Sequence, residues 1–285
     1  MTPHSSYQMQ VNGTSLPLGP KPLIMGILNI TPDSFSDGGR HNTLSFALAH
    51  TRIMLDEGAD IIDIGGQSTR PGAKEISIQE ELDRVIPTIE FLVENDIKAP
   101  ISIDTFRALV ADQAVQAGAS IINDVSGLQR EPEIADIAAH HNTPIVAMHW
   151  DKKRDQSADI IEEMAQFLSV SLEIAKKAGV KREKLIIDPG FGFAKTMEEN
   201  YQILGRLNEL HRFNLPLLIG TSRKSMLSKL LKLNQQESTQ DDLAVATAAT
   251  SVIAYQQGAH IFRVHDVAQN RLSLQIAHAS HYAGQ

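Results

Sequence analysis

Three short stretches of this chain repeat one another. Gly58-Ala59-Asp60-Ile61-Ile62, Gly118-Ala119-Ser120-Ile121-Ile122 and Gly258-Ala259-His260-Ile261-Phe262 each follow a segment of helical periodicity. A glycine just past the last periodic residue marks a helix end, because the backbone there enters a left-handed conformation that suits a residue without Cβ. The apolar pair that follows reads as the start of a strand buried on both faces. Each copy is therefore a helix-to-strand joint. A chain that makes the same joint three times is built from a repeated strand–helix unit.

Placing the other apolar runs around these joints predicts eight strands: Leu23–Leu28, Ile61–Ile64, Ile101–Ile103, Ser120–Ile122, Pro144–Met148, Leu185–Ile187, Pro216–Ile219 and His260–Val264. Amphipathic helical patterns lie between most of them, among them Leu44–Glu57, Ile78–Glu94, Ile160–Ala178 and Leu243–Gln257. Eight β-then-α units with buried parallel strands are the pattern of an α/β TIM (β/α)8 barrel, and 285 residues suit a fold that takes about 250. A doubly wound open sheet is the alternative. It carries a Gly-rich dinucleotide turn after its first strand, and none is present here. The expected organisation is an arm over residues 1–22, flexible or laid on the surface, followed by a single barrel domain over residues 23–285.

Composition narrows the partners. A net charge of −8 argues against nucleic acid or an anionic membrane surface as partner, so any bound anion must be caught by local charge. The absence of cysteine removes disulfides, thiolate nucleophiles and the usual structural zinc sites. The first residues have neither a basic n-region nor an apolar h-region, and Leu243–Tyr255 is too short to span a bilayer. A cytoplasmic protein is expected.

A barrel makes a sharp demand: its active site lies at the strand C-termini. The residues found there are Asn29, Gly65-Gly66, Asp104, Asn123, His149, Asp188, Gly220 followed by Ser222-Arg223-Lys224, and Arg263 with His265. After the first strand the chain stays polar through Thr31-Pro32-Asp33-Ser34-Phe35-Ser36-Asp37-Gly38-Gly39, far longer than an ordinary connector, which points to a lid or a site rather than a solvated insertion. A second long loop, Gly65–Ser77, brings Arg70 toward the same rim. Asp104, Asn123 and Asp188 offer two carboxylates and an amide, a set that can read the N–H edge of a flat heterocycle. The loops after strands seven and eight, the usual phosphate site of the fold, hold Ser222-Arg223-Lys224 and Arg263 with His265, cations suited to a phosphate or diphosphate. Asn29 with Asp33 and Asp37 supplies hard oxygen ligands of the kind Mg²⁺ takes when it bridges to a diphosphate. His149 reads as a packed or hydrogen-bonding rim residue rather than a base, since no serine stands in a nucleophile elbow.

ILNITPDSFSDGG at 27–39, GGQSTRPGA at 65–73, SIDT at 102–105, NDVSG at 123–127, DPGFGF at 188–193, TSRKSML at 221–227 and RVHDV at 263–267 together resemble the dihydropteroate synthase family. The resemblance implies a TIM barrel that joins p-aminobenzoate to 6-hydroxymethyl-7,8-dihydropterin diphosphate, releasing pyrophosphate, in folate biosynthesis. It implies a homodimer, Mg²⁺ as cofactor and sensitivity to sulfonamides. Carried over by position, it implies that Asp104, Asn123, Asp188 and Lys224 hold the pterin. Asn29, Thr69, Arg70, Arg263 and His265 would hold the diphosphate, with Asn29 also on the metal. Phe35, Pro71, Phe193 and Ser222 would border the aminobenzoate. Asp37, Arg70, Lys224, Arg263 and His265 are the residues it points to for catalysis.

Two departures stand out. Trp150-Asp151-Lys152-Lys153-Arg154 follows Met148-His149 where the family usually has a small or polar stretch ending in glycine, and Gln67 replaces a frequent glutamate. Two rival functions are a methyltetrahydrofolate-binding methyltransferase on the same barrel and a non-catalytic paralogue. The first needs neither the diphosphate cations nor the motif at 27–39, and the second would have lost rim residues that are present here.

Overall fold

The computed structural model describes residues 5–11, 13–30, 40–68, 74–233 and 237–283. Eight parallel strands form its centre: β3 (Leu23–Asn29), β4 (Ile61–Gly65), β5 (Ile101–Asp104), β6 (Ile121–Asp124), β7 (Ile145–Met148), β8 (Leu185–Asp188), β9 (Leu218–Ile219) and β10 (Ile261–Val264). They pair in the order β8-β7-β6-β5-β4-β3-β10-β9. A single parallel bridge between Ile187 and Leu217 joins the two ends, so the sheet closes into a barrel. Helices pack outside it, among them α1 (Arg40–Asp56), α2 (Ile78–Glu94), α3 (Ala108–Ala117), α4 (Glu133–His140), α5 (Ile160–Ala178), α6 (Met197–Gly205), α7 (Ser225–Leu233), α8 (Gln240–Gln256) and α9 (Val267–Tyr282).

The repeated joints have one geometry. Gly58, Gly118 and Gly258 take φ of 99°, 125° and 92°. In each case the alanine after the glycine donates its N–H back to the helix, to Met54, Ala114 and Ala254 respectively, at 2.8, 2.8 and 3.1 Å. This satisfies carbonyls that the helix end leaves unpaired and aims the chain into the next strand. Gly179, after α5, makes a fourth such joint, with Val180 donating to Ala175 at 2.9 Å.

Residues 7–18 differ from the expected arm. They form an antiparallel hairpin, β1 (Tyr7–Val11) and β2 (Thr14–Leu18), registered Met9 against Leu16 and Val11 against Thr14. Met9, Val11 and Leu18 are buried in one cluster with Leu23, Met25, Ile61, Ile121, Val146, Ile186, Leu218 and Ile261. The hairpin therefore stops the N-terminal mouth of the barrel. Lys184 donates to the Gln10 carbonyl at 2.5 Å and the His260 ring meets the Ser5 carbonyl at 3.0 Å, fixing it there.

That lower cluster also explains where polar side chains can stand. Strand residues two apart face the same side. Ile61, Ile121, Ile186 and Ile261 belong to the apolar floor, and two residues further along their strands stand Asp63, Asn123, Asp188 and Arg263. The barrel interior is thus apolar below and charged above. Among the described residues no helix is long and apolar enough to cross a membrane.

Candidate active site

Asp63, Asp104, Asn123 and Arg263 form one buried network in the upper barrel. The Arg263 guanidinium donates from Nε to Asp63 Oδ2 and from Nη2 to Asp104 Oδ2, each at 2.6 Å. Asn123 Nδ2 lies 3.3 Å from each Asp63 oxygen. Asp63 has no exposed surface. It is the residue that reasoning from strand ends misses, because it sits mid-strand. Its signal was a lone carboxylate inside Ile61-Ile62-Asp63-Ile64, where an uncompensated charge could not be buried.

Above this network a cavity is lined by Asp104, Asn123, Val125, Met148, Asp188, Gly190, Phe193, Lys224 and Arg263, among others. Asp188 accepts the Gly190 N–H at 2.7 Å. Burial pushes its carboxyl up to about 6, against the downward pull of that bond and of Lys224 and Arg263. Burial also raises Asp104, opposed chiefly by Arg263 and reinforced by Asp63. Lys224 is brought down to about 8 by burial and then by Arg263, with Asp188 and Asp104 pulling the other way. Its ammonium stands 4.0 Å from the centre of the Phe193 ring.

The loop that carries Phe193 is tightly specified. Gly190 has φ of 68°, and a Cβ there would lie 2.0 Å from the His149 carbonyl oxygen. The Lys195 ammonium lies 2.8 Å from His149 Nδ1 and donates to the carbonyls of Gly190 at 2.9 Å and Phe193 at 3.1 Å. Burial, with the Lys195 charge beside it, pushes His149 down to about 2, so the imidazole stays neutral and accepts from Lys195. This is the packed rim histidine expected from the sequence. On the next strand Asp124 accepts from the backbone of Ser126 at 2.7 Å and of Leu128 at 2.6 Å, holding the turn that follows Asn123.

Ser222 and His265 are also paired. The Ser222 hydroxyl oxygen accepts the His265 backbone N–H at 3.1 Å and lies 2.9 Å from Nδ1 of the same residue. The Ser222 hydroxyl thus fixes the orientation of the His265 ring through both its backbone and Nδ1. Arg223, grouped with the rim cations in the sequence, turns aside instead. It meets Asp266 through Nη2 at 2.5 Å and Nε at 3.1 Å.

Asn29 ends β3, paired with Gly65 at the end of β4. A Cβ built on Gly65 would lie 3.5 Å from Asn29 Oδ1 and 3.6 Å from Asp104 Oδ2, so the glycine leaves a small space between these two oxygens. The Asn29 amide oxygen at this gap suits Mg²⁺, which keeps several waters and binds through few protein ligands, whereas Asp104 Oδ2 is taken by Arg263. Among the described residues there is no cluster of three or more His, Cys, Asp or Glu side chains that could enclose a metal. Asp104, Asn123, Asp188, Lys224, Arg263 and Phe193 therefore meet at one cavity, with Ser222 and His265 bound to each other and Asn29 at a strand end of the same barrel. Phe35, Asp37, Thr69, Arg70 and Pro71 lie outside the described residues.

The chain is similar to known proteins along most of its length. The family model for pterin binding enzymes matches residues 25–265. A dihydropteroate synthase of Bacillus subtilis (strain 168) is 46% identical over 272 residues, covering 94% of this chain and 93% of its own. Dihydropteroate synthase of Xanthomonas albilineans, solved with 4-aminobenzoic acid, is 40% identical with a TM-score of 0.90 over 98% of this chain and 100% of that one. The Clostridium difficile enzyme, solved in the presence of pteroic acid, is 43% identical with a TM-score of 0.87 over 93% of this chain and 98% of that one.

Proposed function

This chain belongs to the pterin binding enzyme family as a dihydropteroate synthase, and we propose that its barrel rim divides the family reaction between an acidic floor and a cationic lip. The reaction joins p-aminobenzoate to 6-hydroxymethyl-7,8-dihydropterin diphosphate and releases pyrophosphate; the chain is a transferase of folate biosynthesis. On the floor, Asp188 and Asn123 take the hydrogen-bonding edge of the pterin, with Asp104 beside them. The Lys224 ammonium supplies the donor for a ring acceptor. On the lip, Arg263 and His265 take the diphosphate. The His265 ring is held in place for this by Ser222. Two Arg263 donors are held by carboxylates, which aims the rest of the guanidinium. Asn29 would hold Mg²⁺, which when bound supplies positive charge against the diphosphate oxygens. The observation that supports this reading is the cavity that brings Asp104, Asn123 and Asp188 together with Lys224 and Arg263.

The same arrangement bears on mechanism. Leaving-group charge is met by the Arg263 cation, already oriented by Asp63 and Asp104. His149, fully buried with Nδ1 taken by Lys195, is no base for the incoming amine, and an aryl amine attacking an electron-poor methylene needs none. Displacement with substantial C–O cleavage before the amine arrives follows, with Phe193 and Ser222 on the side from which the amine comes. A sulfonamide would compete for that side. The test is pyrophosphate release in the presence of both substrates and its absence with either alone. No release with both would overturn the reading.

Assembly is read from the outer helices. Ala244, Thr247, Ala248 and Ser251 of α8 are buried, whereas Val245 and Ile253 of α8 and Leu272 and Ile276 of α9 are exposed. Apolar side chains on adjacent helices suit a two-fold homodimer interface. A cytoplasmic location accords with this role. A monomer at micromolar concentration in light scattering would count against the dimer.

A further inference from the structure

The loop after β7 meets the loop after β8 at the outer edge of the cavity. The Trp150 ring lies 5.1 Å from that of Phe193 at 61°, an edge-to-face pair. Phe193 thus touches both the Trp150 ring and the Lys224 ammonium. Trp150 and Phe193 both pack against the cluster formed by Phe106, Val125 and Met148, of which Val125 and Met148 line the cavity. Behind the rings the two loops are tied by Lys195, as described, and by Arg154. The latter donates from Nε to the Ala194 carbonyl at 3.2 Å and from Nη2 to both oxygens of Glu199 at 2.6 Å. The backbone under Trp150 is therefore anchored independently of its side chain.

Asp104, Asn123 and Asp188 lie within or at the ends of their strands, whereas Phe193 and Lys224 lie in loops beyond them. A pterin on the floor thus leaves Phe193 to meet whatever arrives second. We propose that Trp150 is a positioning residue for the aryl amine: it holds the Phe193 ring against Lys224, so that the ring presents a fixed wall to p-aminobenzoate. The inference rests on the dihydropteroate synthase reading above. Without the indole, Phe193 keeps its backbone but gains rotamer freedom, and the wall is lost for part of the time.

Steady-state kinetics of Trp150→Ala and Trp150→Phe, with melting curves for each, test this. Trp150→Ala should raise KM for p-aminobenzoate about three- to tenfold, the scale of one aromatic pair. KM for the pterin diphosphate and kcat should stay within about twofold, and Trp150→Phe should restore most of the loss. Trp150 is the one tryptophan of the chain, so its emission gives a second measurement on the unaltered enzyme. Dihydropteroate, which carries the aminobenzoyl ring, should shift that emission more than the same pterin without it. An unchanged KM for p-aminobenzoate, or equal rises for both substrates, overturns the role of Trp150 while leaving the function intact. Should Trp150→Ala fail to fold, equal emission changes from the two ligands overturn it instead. A wild-type enzyme that releases no pyrophosphate overturns the function and this inference together.

Discussion

Arg263 and Asp104 are joined directly, Nη2 to Oδ2 at 2.6 Å, so the residue assigned to the diphosphate neutralises a residue assigned to the pterin. The sequence suggests a clean division between these halves; the geometry couples them. Arg263→Ala would strip the cation from both Asp104 and the fully buried Asp63. Removing one partner of a buried pair costs about 3–5 kcal/mol. The expected outcome is a lower melting temperature and weaker binding of unphosphorylated pterin, in addition to lost turnover. Titration calorimetry with that pterin is the check, and wild-type affinity in the variant would refute the coupling.

Asp188→Asn should behave differently. It keeps the shape but turns one acceptor into a donor facing the pterin N–H edge. A buried mismatch of this kind costs on the order of 1–3 kcal/mol, about ten- to a hundredfold in affinity. Stability should hold or rise, since burial already disfavours the Asp188 carboxylate. A large drop in melting temperature would show that Asp188 is structural instead.

The pH dependence follows from Asp188 at about 6 and Lys224 at about 8. Below the first value the carboxyl carries a proton and loses an acceptor; above the second the ammonium is lost. Affinity for unphosphorylated pterin should therefore rise through about pH 6 and fall beyond about pH 8, with Asp104 broadening the acid limb. Using the unphosphorylated ligand removes the titration of substrate phosphates. The stability sign is opposite on the acid side. Asp188 in the folded protein keeps its proton above the ordinary 3.8, so its contribution to stability falls as pH rises from 3.8 toward 6. Flat binding between pH 5 and 9 would exclude Asp188 and Lys224 as the titrating contacts.

What could be read from the chain alone has a physical pattern. Gly58, Gly118 and Gly258 were legible because a positive φ is a local demand that one residue type meets. Asp104, Asn123, Asp188 and Arg263 were legible because a barrel sends strand ends to one rim. Asp63 was not, since a strand-end rule ignores the inward residue two places earlier. The Lys195–His149 contact and the turning of Arg223 to Asp266 depend on which loops meet, and local pattern carries no such information. The hairpin was legible in principle. Asn12-Gly13 between Tyr7–Val11 and Thr14–Leu18 is a strong turn signal, yet the polar composition of the first residues obscured it.

Gly190→Ala tests how strictly the Phe193 loop is specified. The glycine has a positive φ and its added Cβ would strike backbone oxygen rather than a movable side chain. Strain of this kind costs about 1–3 kcal/mol from φ alone, before the clash. Because the Gly190 N–H is held by Asp188, pterin affinity should fall together with stability. Gly205→Ala is the control: it ends α6, with nothing within 4 Å of a new Cβ, and should be neutral or stabilising. A Gly190→Ala enzyme as stable as Gly205→Ala would show that the loop yields.

The hairpin plug can be separated from the chemistry, because it closes the opposite end of the barrel from the rim. Met9 has no exposed surface and sits among Leu23, Met25 and Ile261 of the barrel floor. Met9→Ala should cost about 2–5 kcal/mol through lost burial and the void it leaves. At temperatures where the variant is folded, kcat and both KM values should match wild type, since the strands that carry Asp63 and Arg263 keep their ladder hydrogen bonds. Ser15→Ala, at an exposed position of the same hairpin, removes only a solvent-facing bond to Gln8 and should shift melting by little. The decisive comparison is melting temperature against kcat for the two variants. If Met9→Ala left melting unchanged, residues 7–18 would be the surface-laid arm that their composition suggests, and not part of the core.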